Sequence, residues 1–282
     1  MMIQDETAEQ WLNRTWPFPC KSCACPNTGT SEDTLCRECY DKTPEAIAKR
    51  EQDAKELADY KTRLVEQKLS ELVSPEIMET DTEHPDFNLD AWERITRGWN
   101  DESRDWLWLH SKTSGRCKSR IAYLLLRRLY LRAIEPLVIR AGSYNGKLPT
   151  ILWVDGDRLT EAFRTRHQFS LGDSVMGAAH DLVEKARTCR FLVIDDLSKR
   201  KLTGEAASDG LWEIIKRRHE WKLVTIITDN FLPEALEDTL HEKHAPYIIR
   251  RLVERCIQVD FDATASESQA SGQWSESQQG ES

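Results

Sequence analysis

The chain has 282 residues, 39% of them hydrophobic, which is enough to bury the core of one large domain or of one domain and a small module. Its formal net charge of -9 at pH 7 excludes a general electrostatic attraction to nucleic acid or to an anionic membrane. No apolar run approaches the roughly 20 residues of a membrane span, and residues 1–14 are too polar for a signal peptide. We therefore expect a cytosolic protein that makes any nucleic-acid contact through local patches.

Five of the eight cysteines lie between Cys20 and Cys39, a distribution that indicates metal binding in a reducing cytosol. Two CxxC pairs with the spacing of a four-thiolate zinc site supply the expected ligands: Cys20, Cys23, Cys36 and Cys39. Cys25 could replace Cys23 in a different register, and unligated cysteines in a flexible leader are the alternative. Because so short a segment cannot form a hydrophobic core, zinc would supply its folding free energy.

Between the cysteines and the main domain, the composition predicts a helical segment. Residues from Pro44 to Leu72 are rich in Ala, Glu, Lys, Gln and Leu, which favours either a solvated linker helix or a short coiled coil. Prolines and acidic residues then interrupt Val73 to Leu89, where we place the domain boundary. The predicted regions are a leader (1–17), a zinc-binding module (18–42), a helical arm and linker (43–88), the main domain (89–262) and a disordered tail (263–282).

After Asp90 the pattern alternates between strands and helices. The predicted strands are 106–110, 150–154, 190–195, 222–228 and 256–261, and the predicted helices are 118–134, 158–166, 174–187, 207–219, 232–240 and 246–254. Continuous apolar strands such as 223–227 are typical of a parallel sheet covered on both faces, so the fold class is α/β. A ligand is expected at the carboxyl ends of the strands, where Lys118, Asp195 and Asn230 lie. The single cysteines Cys189 and Cys256 are expected to be buried thiols.

The first half of a nucleotide site follows the strand that begins at Trp106. An apolar strand, a short loop and the start of a helix form the context of a phosphate-binding P-loop, in which a lysine contacts the β- and γ-phosphates and a hydroxyl binds Mg²⁺. The candidate loop consists of Thr113, Ser114, Gly115, Arg116, Cys117, Lys118 and Ser119. Of the pattern GxxxxGK[ST], its two glycine positions carry Lys112 and Cys117. Cysteine is a mild substitute for glycine and lysine is not an obvious one, so an ordinary basic turn is the alternative.

The second half of the site is the segment Phe191-Leu-Val-Ile-Asp-Asp196, a buried apolar strand that ends in two carboxylates. One carboxylate, Asp195 or Asp196, can hold the Mg²⁺ shell while the other orients a water. The alternative is a solvated strand end. Together the two halves predict a site for ATP and Mg²⁺.

With these motifs in order, residues 91–261 resemble the AAA+ ATPases of the DnaC-like helicase loaders, including phage and prophage versions, and the related IstB transposition helpers. The resemblance implies an αβα sandwich with a five-stranded parallel sheet, acting in an oligomer. It matches Lys118 and Ser119 to the Walker A lysine and hydroxyl, and Asp195 to the Walker B magnesium aspartate.

The resemblance also assigns three candidate catalytic residues. Asp196 stands where the family commonly has a glutamate, and its side chain is shorter by one carbon–carbon bond of about 1.5 Å. Asn230 matches the sensor-one residue that faces the γ-phosphate, with a turn-capping asparagine as the alternative. Arg251 matches the arginine finger that acts on a neighbouring subunit, with Arg250 in reserve and a surface arginine as the alternative. No sensor-two arginine is evident.

The resemblance thus implies an ATP-binding protein of DNA replication that self-associates through its ATP site and places a replicative helicase on single-stranded DNA. It implies a partner-recruiting role for the zinc module only loosely. A transposition helper and a zinc-bearing adaptor that does not hydrolyse ATP are the alternatives. Two basic runs, 199–201 and 216–218, are candidates for contact with a nucleic-acid backbone, although ordinary solvated charge is the competing interpretation.

Overall fold

A computed structural model gives the architecture of the chain in two compact units, residues 1–62 and 63–282. The residues that it describes are 39, 41–84, 87–99, 105–113, 115, 117–135, 148–168, 172–200, 202 and 204–263, with the backbone alone of 16–19 and 26–27.

The first unit contains two short strands and most of a long helix. Strand β1 (Trp16–Pro19) pairs antiparallel with β2 (Pro26–Asn27). Helix α1 (Pro44–Ser70) confirms the predicted helical segment, and its first turn is capped by Thr43, whose hydroxyl accepts a hydrogen bond of 3.2 Å from the Ala46 amide. From Arg63 onwards the helix belongs to the second unit.

The predicted zinc ligands fall almost wholly outside the described residues. Cys20, Cys23 and Cys36 lie there, as does the spare Cys25, while Cys39 is described and half-buried. The zinc site therefore stays a prediction.

The second unit is built on a sheet of five parallel strands. These are β3 (Trp106–His110), β4 (Ile151–Asp155), β5 (Phe191–Asp195), β6 (Val224–Asp229) and β7 (Cys256–Asp260). Their order across the sheet is β4-β5-β6-β3-β7, so β6 lies between the P-loop strand β3 and the carboxylate strand β5. This sheet confirms the predicted α/β fold with five parallel strands.

Helices cover both faces of the sheet. They are α2 (Pro75–Met78), α3 (Leu89–Gly98), α4 (Lys118–Ile134), α5 (Gly156–Thr165), α6 (Asp173–Thr188), α7 (Glu205–Glu220) and α8 (Ala245–Arg255), with short 3₁₀ helices at Leu197–Lys199 and Pro233–Thr239. No helix in the described part of the chain has the length and apolar character to cross a membrane.

The apolar residues form two cores, one on each side of the sheet, because successive strand side chains point to opposite faces. Trp106 and Trp108 pack on one face with α5, α6, α7 and α8. Leu107 and Leu109 pack on the other with α4, α3 and the end of α1. The sheet is therefore covered on both sides, as the continuous apolar strands predict. The thiols of Cys189 and Cys256 are buried, as expected, and burial raises the pKa of each.

Several elements differ from the sequence prediction, among them helix α3 and the segment 232–240. Helix α3 was not predicted, although Asn88 caps it by accepting a 2.9 Å hydrogen bond from the Ala91 amide, and Ala91 and Ile95 are fully buried. The helix predicted at 232–240 is a 3₁₀ helix, Pro233–Thr239.

The burial of Arg218 corrects the prediction that the basic run 216–218 contacts a nucleic-acid backbone. Its guanidinium is fully buried and donates to the carbonyl oxygens of Ala186 and Cys189, at 2.9 and 2.8 Å, and to the Thr225 hydroxyl at 2.8 Å. Arg217 stacks over the ring of Trp221 at 4.2 Å. Arg218 therefore ties α6, α7 and β6 together and cannot contact nucleic acid.

Candidate nucleotide site at the carboxyl edge of the sheet

The carboxyl ends of β3, β5 and β6 meet at one edge of the sheet, which brings together Lys118, Ser119, Asp195, Asp196 and Asn230 but not Arg251. The register pairs His110 with Asp229, and Ile194 with Ile227, so the residues that follow each strand emerge side by side. Helix α4 begins at Lys118, directly after the loop that follows β3. The amide groups of its first turn therefore face the same edge, where a phosphate is favoured.

Lys118 lies at the centre of this edge. Its ammonium donates hydrogen bonds to the Ser111 hydroxyl at 2.8 Å and to the Asn230 side-chain oxygen at 3.0 Å. Burial lowers the pKa of Lys118, an effect opposed most strongly by Asp196 and then by Asp229, Asp262 and Asp195. The lysine side chain is therefore held between the residues that follow β3 and those that follow β6.

Asn230 points its side chain towards Lys118 instead of capping its own turn. The turn is capped by Asp229, whose Oδ1 accepts hydrogen bonds from the amides of Asn230 at 2.6 Å and Phe231 at 3.1 Å. Asp229, and not Asn230, therefore caps the turn, and the side-chain oxygen of Asn230 contacts the Lys118 ammonium.

Ser119 and Asp195 form the second part of the site. The Ser119 hydroxyl donates to Asp195 Oδ1 at 2.7 Å, and the Thr228 hydroxyl donates to the same oxygen at 2.6 Å. Burial raises the pKa of Asp195 and these two hydrogen bonds oppose the rise, while Asp196 and Asp155 add to it. The carboxylate is thus integrated into the edge of the sheet and is not a solvated strand end.

Asp196 adopts the left-handed conformation, with φ 57° and ψ 57°, which turns the chain out of β5 into the 3₁₀ helix 197–199. Its amide donates to the Thr228 hydroxyl at 2.9 Å, so one threonine contacts both adjacent acids. Gly156 makes room for this turn, because a Cβ at that position would lie 2.2 Å from the carbonyl oxygen of Asp196. Glycine is therefore required at 156.

The end of β6 organises the neighbouring turn as well. Asp229 is fully buried, and it accepts hydrogen bonds from the Ser198 amide at 2.9 Å and from the Ser198 hydroxyl at 2.5 Å. Burial raises the pKa of Asp229 and its hydrogen bonds oppose the rise. The Asp229 side chain thus binds both the turn that contains Asp196 and the turn that contains Asn230.

The altered glycine positions of the loop have two different explanations. Cys117 has φ 62°, in the left-handed region, so glycine would be the unstrained residue there. The described non-glycine residues with positive φ are Cys117, Asp196 and Lys222, so Lys112 does not require glycine. Gly115, at φ 80°, supplies the other left-handed residue, and Ser114 and Arg116 lie outside the described residues.

We predict that Cys117→Gly retains or tightens ATP binding and leaves the fold intact. Glycine removes the left-handed strain of roughly 1 kcal/mol and adds a comparable loss of chain entropy on folding, so the melting temperature should shift little. The measurement is ATP affinity by calorimetry together with thermal denaturation. Cys117→Val, which places a β-branched side chain at positive φ, is the matched variant and should lower stability. A large loss of affinity in the glycine variant would mean that the thiol has a role of its own.

The two finger candidates lie on α8, away from these contacts. Arg251 Nη1 pairs with Glu254 Oε2 at 2.8 Å, and Arg250 Nε pairs with Glu254 Oε1 at 2.7 Å. Both arginines thus form ion pairs within their own helix. The action of Arg251 on a neighbouring subunit stays a prediction.

The other basic run, 199–201, is also engaged in ion pairs. Lys199 lies 3.6 Å from Asp157, Arg200 lies 2.7 Å from Glu161, and Lys201 is outside the described residues. Exposed pairs of this kind are weak and could be exchanged for phosphate contacts.

The structure adds site residues that the sequence analysis did not assign. Thr228 and Asp229 stand directly before Asn230, so their position next to a candidate motif was a usable signal. The sequence contained no such signal for Ser111, Gly156 or Asp262. Asp262 in particular lies 149 residues from Thr113, yet its carboxylate accepts a 2.9 Å hydrogen bond from the Thr113 hydroxyl.

Comparison with known proteins finds similarity in structure alone. No protein-family model matches the sequence, and no curated protein matches it significantly. A crystal structure of DnaI is 18% identical with a TM-score of 0.44, covering 68% of this chain and 93% of that one. The DnaC helicase loader is 19% identical with a TM-score of 0.41, covering 61% and 86%. Domain III of the Thermotoga maritima replication initiation protein DnaA is 15% identical with a TM-score of 0.47, covering 71% and 72%. Similarity at this level is confined to the general fold.

Proposed function

We propose that this protein binds ATP with Mg²⁺ at the carboxyl edge of its sheet and uses the nucleotide as a slow switch. The observation that carries the proposal is the pair of contacts Ser119–Asp195, at 2.7 Å, and Lys118–Asn230, at 3.0 Å. A hydroxyl and a carboxylate in contact are suited to one metal ion, and a lysine and an amide in contact are suited to one phosphate group.

The donor set agrees with Mg²⁺. The ion prefers hard oxygen ligands and is commonly held by one or two carboxylates, waters and substrate phosphates. Ser119 and Asp195 would supply one hydroxyl and one carboxylate. Waters and the phosphates of the nucleotide would complete the coordination.

The phosphates would be bound by the loop and by Lys118. Backbone amides at the start of α4 supply donors, and the lysine supplies charge. Without Mg²⁺ the several carboxylates near Lys118 would repel a polyphosphate, so binding should depend strongly on the metal.

Hydrolysis is expected to be slow. Asp196 would orient the attacking water, but its side chain is about 1.5 Å shorter than the glutamate common in DnaC-like proteins. Its backbone is also held in the left-handed conformation by Gly156 and Thr228. Asn230 would contact the γ-phosphate, and Arg251 would act on the site of a neighbouring copy. The same short acid favours the second candidate, an adaptor that binds ATP without hydrolysing it.

Calorimetric titration of the full chain with ATP, with and without Mg²⁺, tests nucleotide binding directly. Binding that requires Mg²⁺ supports the proposal, whereas no binding under either condition overturns it. Release of phosphate, measured with and without single-stranded DNA, then separates the slow switch from the adaptor.

The cellular role that we propose is that of a loader for a replicative helicase, acting in the cytosol as an oligomer on single-stranded DNA. It rests on the sequence resemblance of residues 91–261 to DnaC-like proteins. Pull-down of the full chain with a hexameric helicase should give a complex that depends on ATP. Capture of a transposase instead would favour the IstB-like alternative.

For the N-terminal module we predict one zinc ion per chain, held by Cys20, Cys23, Cys36 and Cys39. Since the metal supplies the folding free energy, Cys36→Ser should release zinc and unfold residues near 18–42. Elemental analysis and limited proteolysis are the measurements. ATP binding should persist in the variant, because the nucleotide site is formed within residues 63–282. Metal-free protein from a purification without chelators would contradict the prediction.

A further inference from the structure

Asp260, Phe261 and Asp262, at the end of β7, form hydrogen bonds with neighbouring elements. The Asp260 carbonyl accepts a 2.8 Å hydrogen bond from Arg94, and the Phe261 carbonyl accepts one of 3.3 Å from Asn88. The Phe261 amide donates to the His110 carbonyl at 2.9 Å, which extends the pairing of β7 with β3. The next residue, Asp262, is therefore delivered to the loop that follows β3.

The Asp262 carboxylate binds the beginning of the phosphate loop through both of its oxygens. Oδ2 accepts from the Lys112 amide at 2.6 Å, and Oδ1 accepts from the Thr113 hydroxyl at 2.9 Å. The Asp262 amide in turn donates to Asp260 Oδ1 at 2.8 Å, which limits the freedom of the carboxylate. We call this pair of contacts to Lys112 and Thr113 the Asp262 bridge.

A short series of hydrogen bonds continues from the Asp262 bridge to Lys118. The Thr113 carbonyl accepts from the Ser111 hydroxyl at 2.6 Å, and that hydroxyl accepts from the Lys118 ammonium at 2.8 Å. The position of the lysine is therefore connected to the carboxylate of Asp262 by way of the loop backbone.

We propose that Asp262 is a positioning residue for the phosphate loop, in which the Asp262 bridge holds residues 111–113 so that Lys118 is placed for a polyphosphate. This inference rests on the proposed nucleotide function. It also accounts for Lys112 at the first glycine position of the motif, because only the backbone amide of that residue is used and its φ is not positive.

The negative charge of Asp262 should weaken ATP binding, whereas its positioning of the loop should strengthen it. The sign of the change in ATP affinity when Asp262 is neutralised therefore tests the proposal. Asp262 lies near Lys118 and His110, and Asp260 and Glu234 are the other acids that act on His110. A carboxylate there repels the phosphates of a nucleotide. If Asp262 contributed charge alone, its neutralisation would tighten ATP binding. If it positions the loop, neutralisation weakens binding.

The experiment measures ATP and AMP affinity of Asp262→Asn and Asp262→Ala in the full chain, with thermal denaturation as the check on folding. We expect ATP to bind about tenfold more weakly to Asp262→Asn, which keeps one acceptor oxygen and loses one charge-assisted hydrogen bond. Asp262→Ala loses both hydrogen bonds and should bind ATP more weakly still. AMP lacks the phosphates that Lys118 would contact, so its affinity should change less. A general loss of structure would instead weaken both nucleotides equally.

Glu234→Gln is the matched control, because it removes a negative charge that acts on His110. Within the described part of the chain, Glu234 forms no hydrogen bond with residues 111–113. The substitution should leave ATP affinity unchanged or slightly tighter. Equal or tighter ATP binding in both Asp262 variants overturns the proposal.

A second measurement does not depend on nucleotide. Hydrogen exchange at the Lys112 amide should be faster in Asp262→Ala than in wild type, because its acceptor is gone. Unchanged exchange overturns the Asp262 bridge. Wild-type protein that binds no ATP while exchange responds to the substitution would overturn the nucleotide function and leave the bridge supported, so the two failures are distinguishable.

Discussion

Substitution of Lys118 by alanine should weaken ATP binding by a factor of about 100 or more. The ammonium makes two hydrogen bonds at the centre of the site, and charge-assisted contacts with phosphate are each worth roughly 1.5–3 kcal/mol. Calorimetry with Mg²⁺ and ATP is the measurement. Stability without nucleotide should hardly fall, because burial already lowers the pKa of Lys118 and so disfavours its charged form in the folded protein.

Lys185→Ala is the control for this substitution, since Lys185 is an exposed lysine in the last turn of α6 and its loss changes the net charge equally. It should bind ATP as wild type does. Asp195→Asn is the companion variant and should lose chiefly the part of the affinity that depends on Mg²⁺. Equal ATP affinity in wild type and Lys118→Ala would contradict the site.

Substitution of Arg251 by alanine should abolish ATP-dependent assembly and any turnover while sparing ATP binding by isolated subunits. An arginine that stabilises phosphate charge in a neighbour's site contributes roughly 10³ to 10⁵ in rate. Its partner within the chain is Glu254, an exposed pair that can be exchanged for a phosphate at little cost. Sedimentation with and without ATP, together with phosphate release, measures both effects.

Arg250→Ala is the matched variant, because Arg250 pairs with the same Glu254 and is the more exposed of the two, at 69% against 34% for the Arg251 side chain. A loss of assembly in Arg250→Ala alone would identify Arg250 as the finger. Assembly that is independent of nucleotide and unchanged in both variants would contradict the loader mechanism and favour the adaptor.

Asp196→Glu separates the remaining alternatives. If reach limits the acid that orients the water, the longer side chain should raise turnover without changing ATP affinity. An inert scaffold should respond neither to this change nor to Arg251→Ala.

The sequence predicted the fold through features that depend on neighbouring residues. Helix α4 was predicted at 118–134 and has those bounds, because its apolar positions recur at helical spacing and the P-loop pattern marks its start. The strand that ends at Asp195 was equally clear from its apolar run. Helix α3 was missed although Leu89, Trp92 and Ile95 recur at helical spacing, so the sequence carried a usable signal. Its burial depends on contacts with distant elements.

The same dependence on distant contacts explains why the prediction that Arg218 contacts nucleic acid was wrong. In the sequence, Lys216 to Arg218 is a basic run on a helix, and nothing local distinguishes a solvated arginine from a buried one. The side chain is buried because carbonyl oxygens of α6 and β6 lie around it, and these come from parts of the chain that only folding brings near.

By itself, the sequence pointed to the candidate site residues that stand next to a strand or helix end: Lys118, Ser119, Asp195 and Asn230. Only the tertiary structure decided how they are held. Thr228 contacts both acids because β5 and β6 are neighbours in the sheet, and Asp262 reaches the loop because β7 pairs with β3. Parallel pairing joins residues far apart in the chain, and no periodicity or spacing within the sequence records which strands will be adjacent.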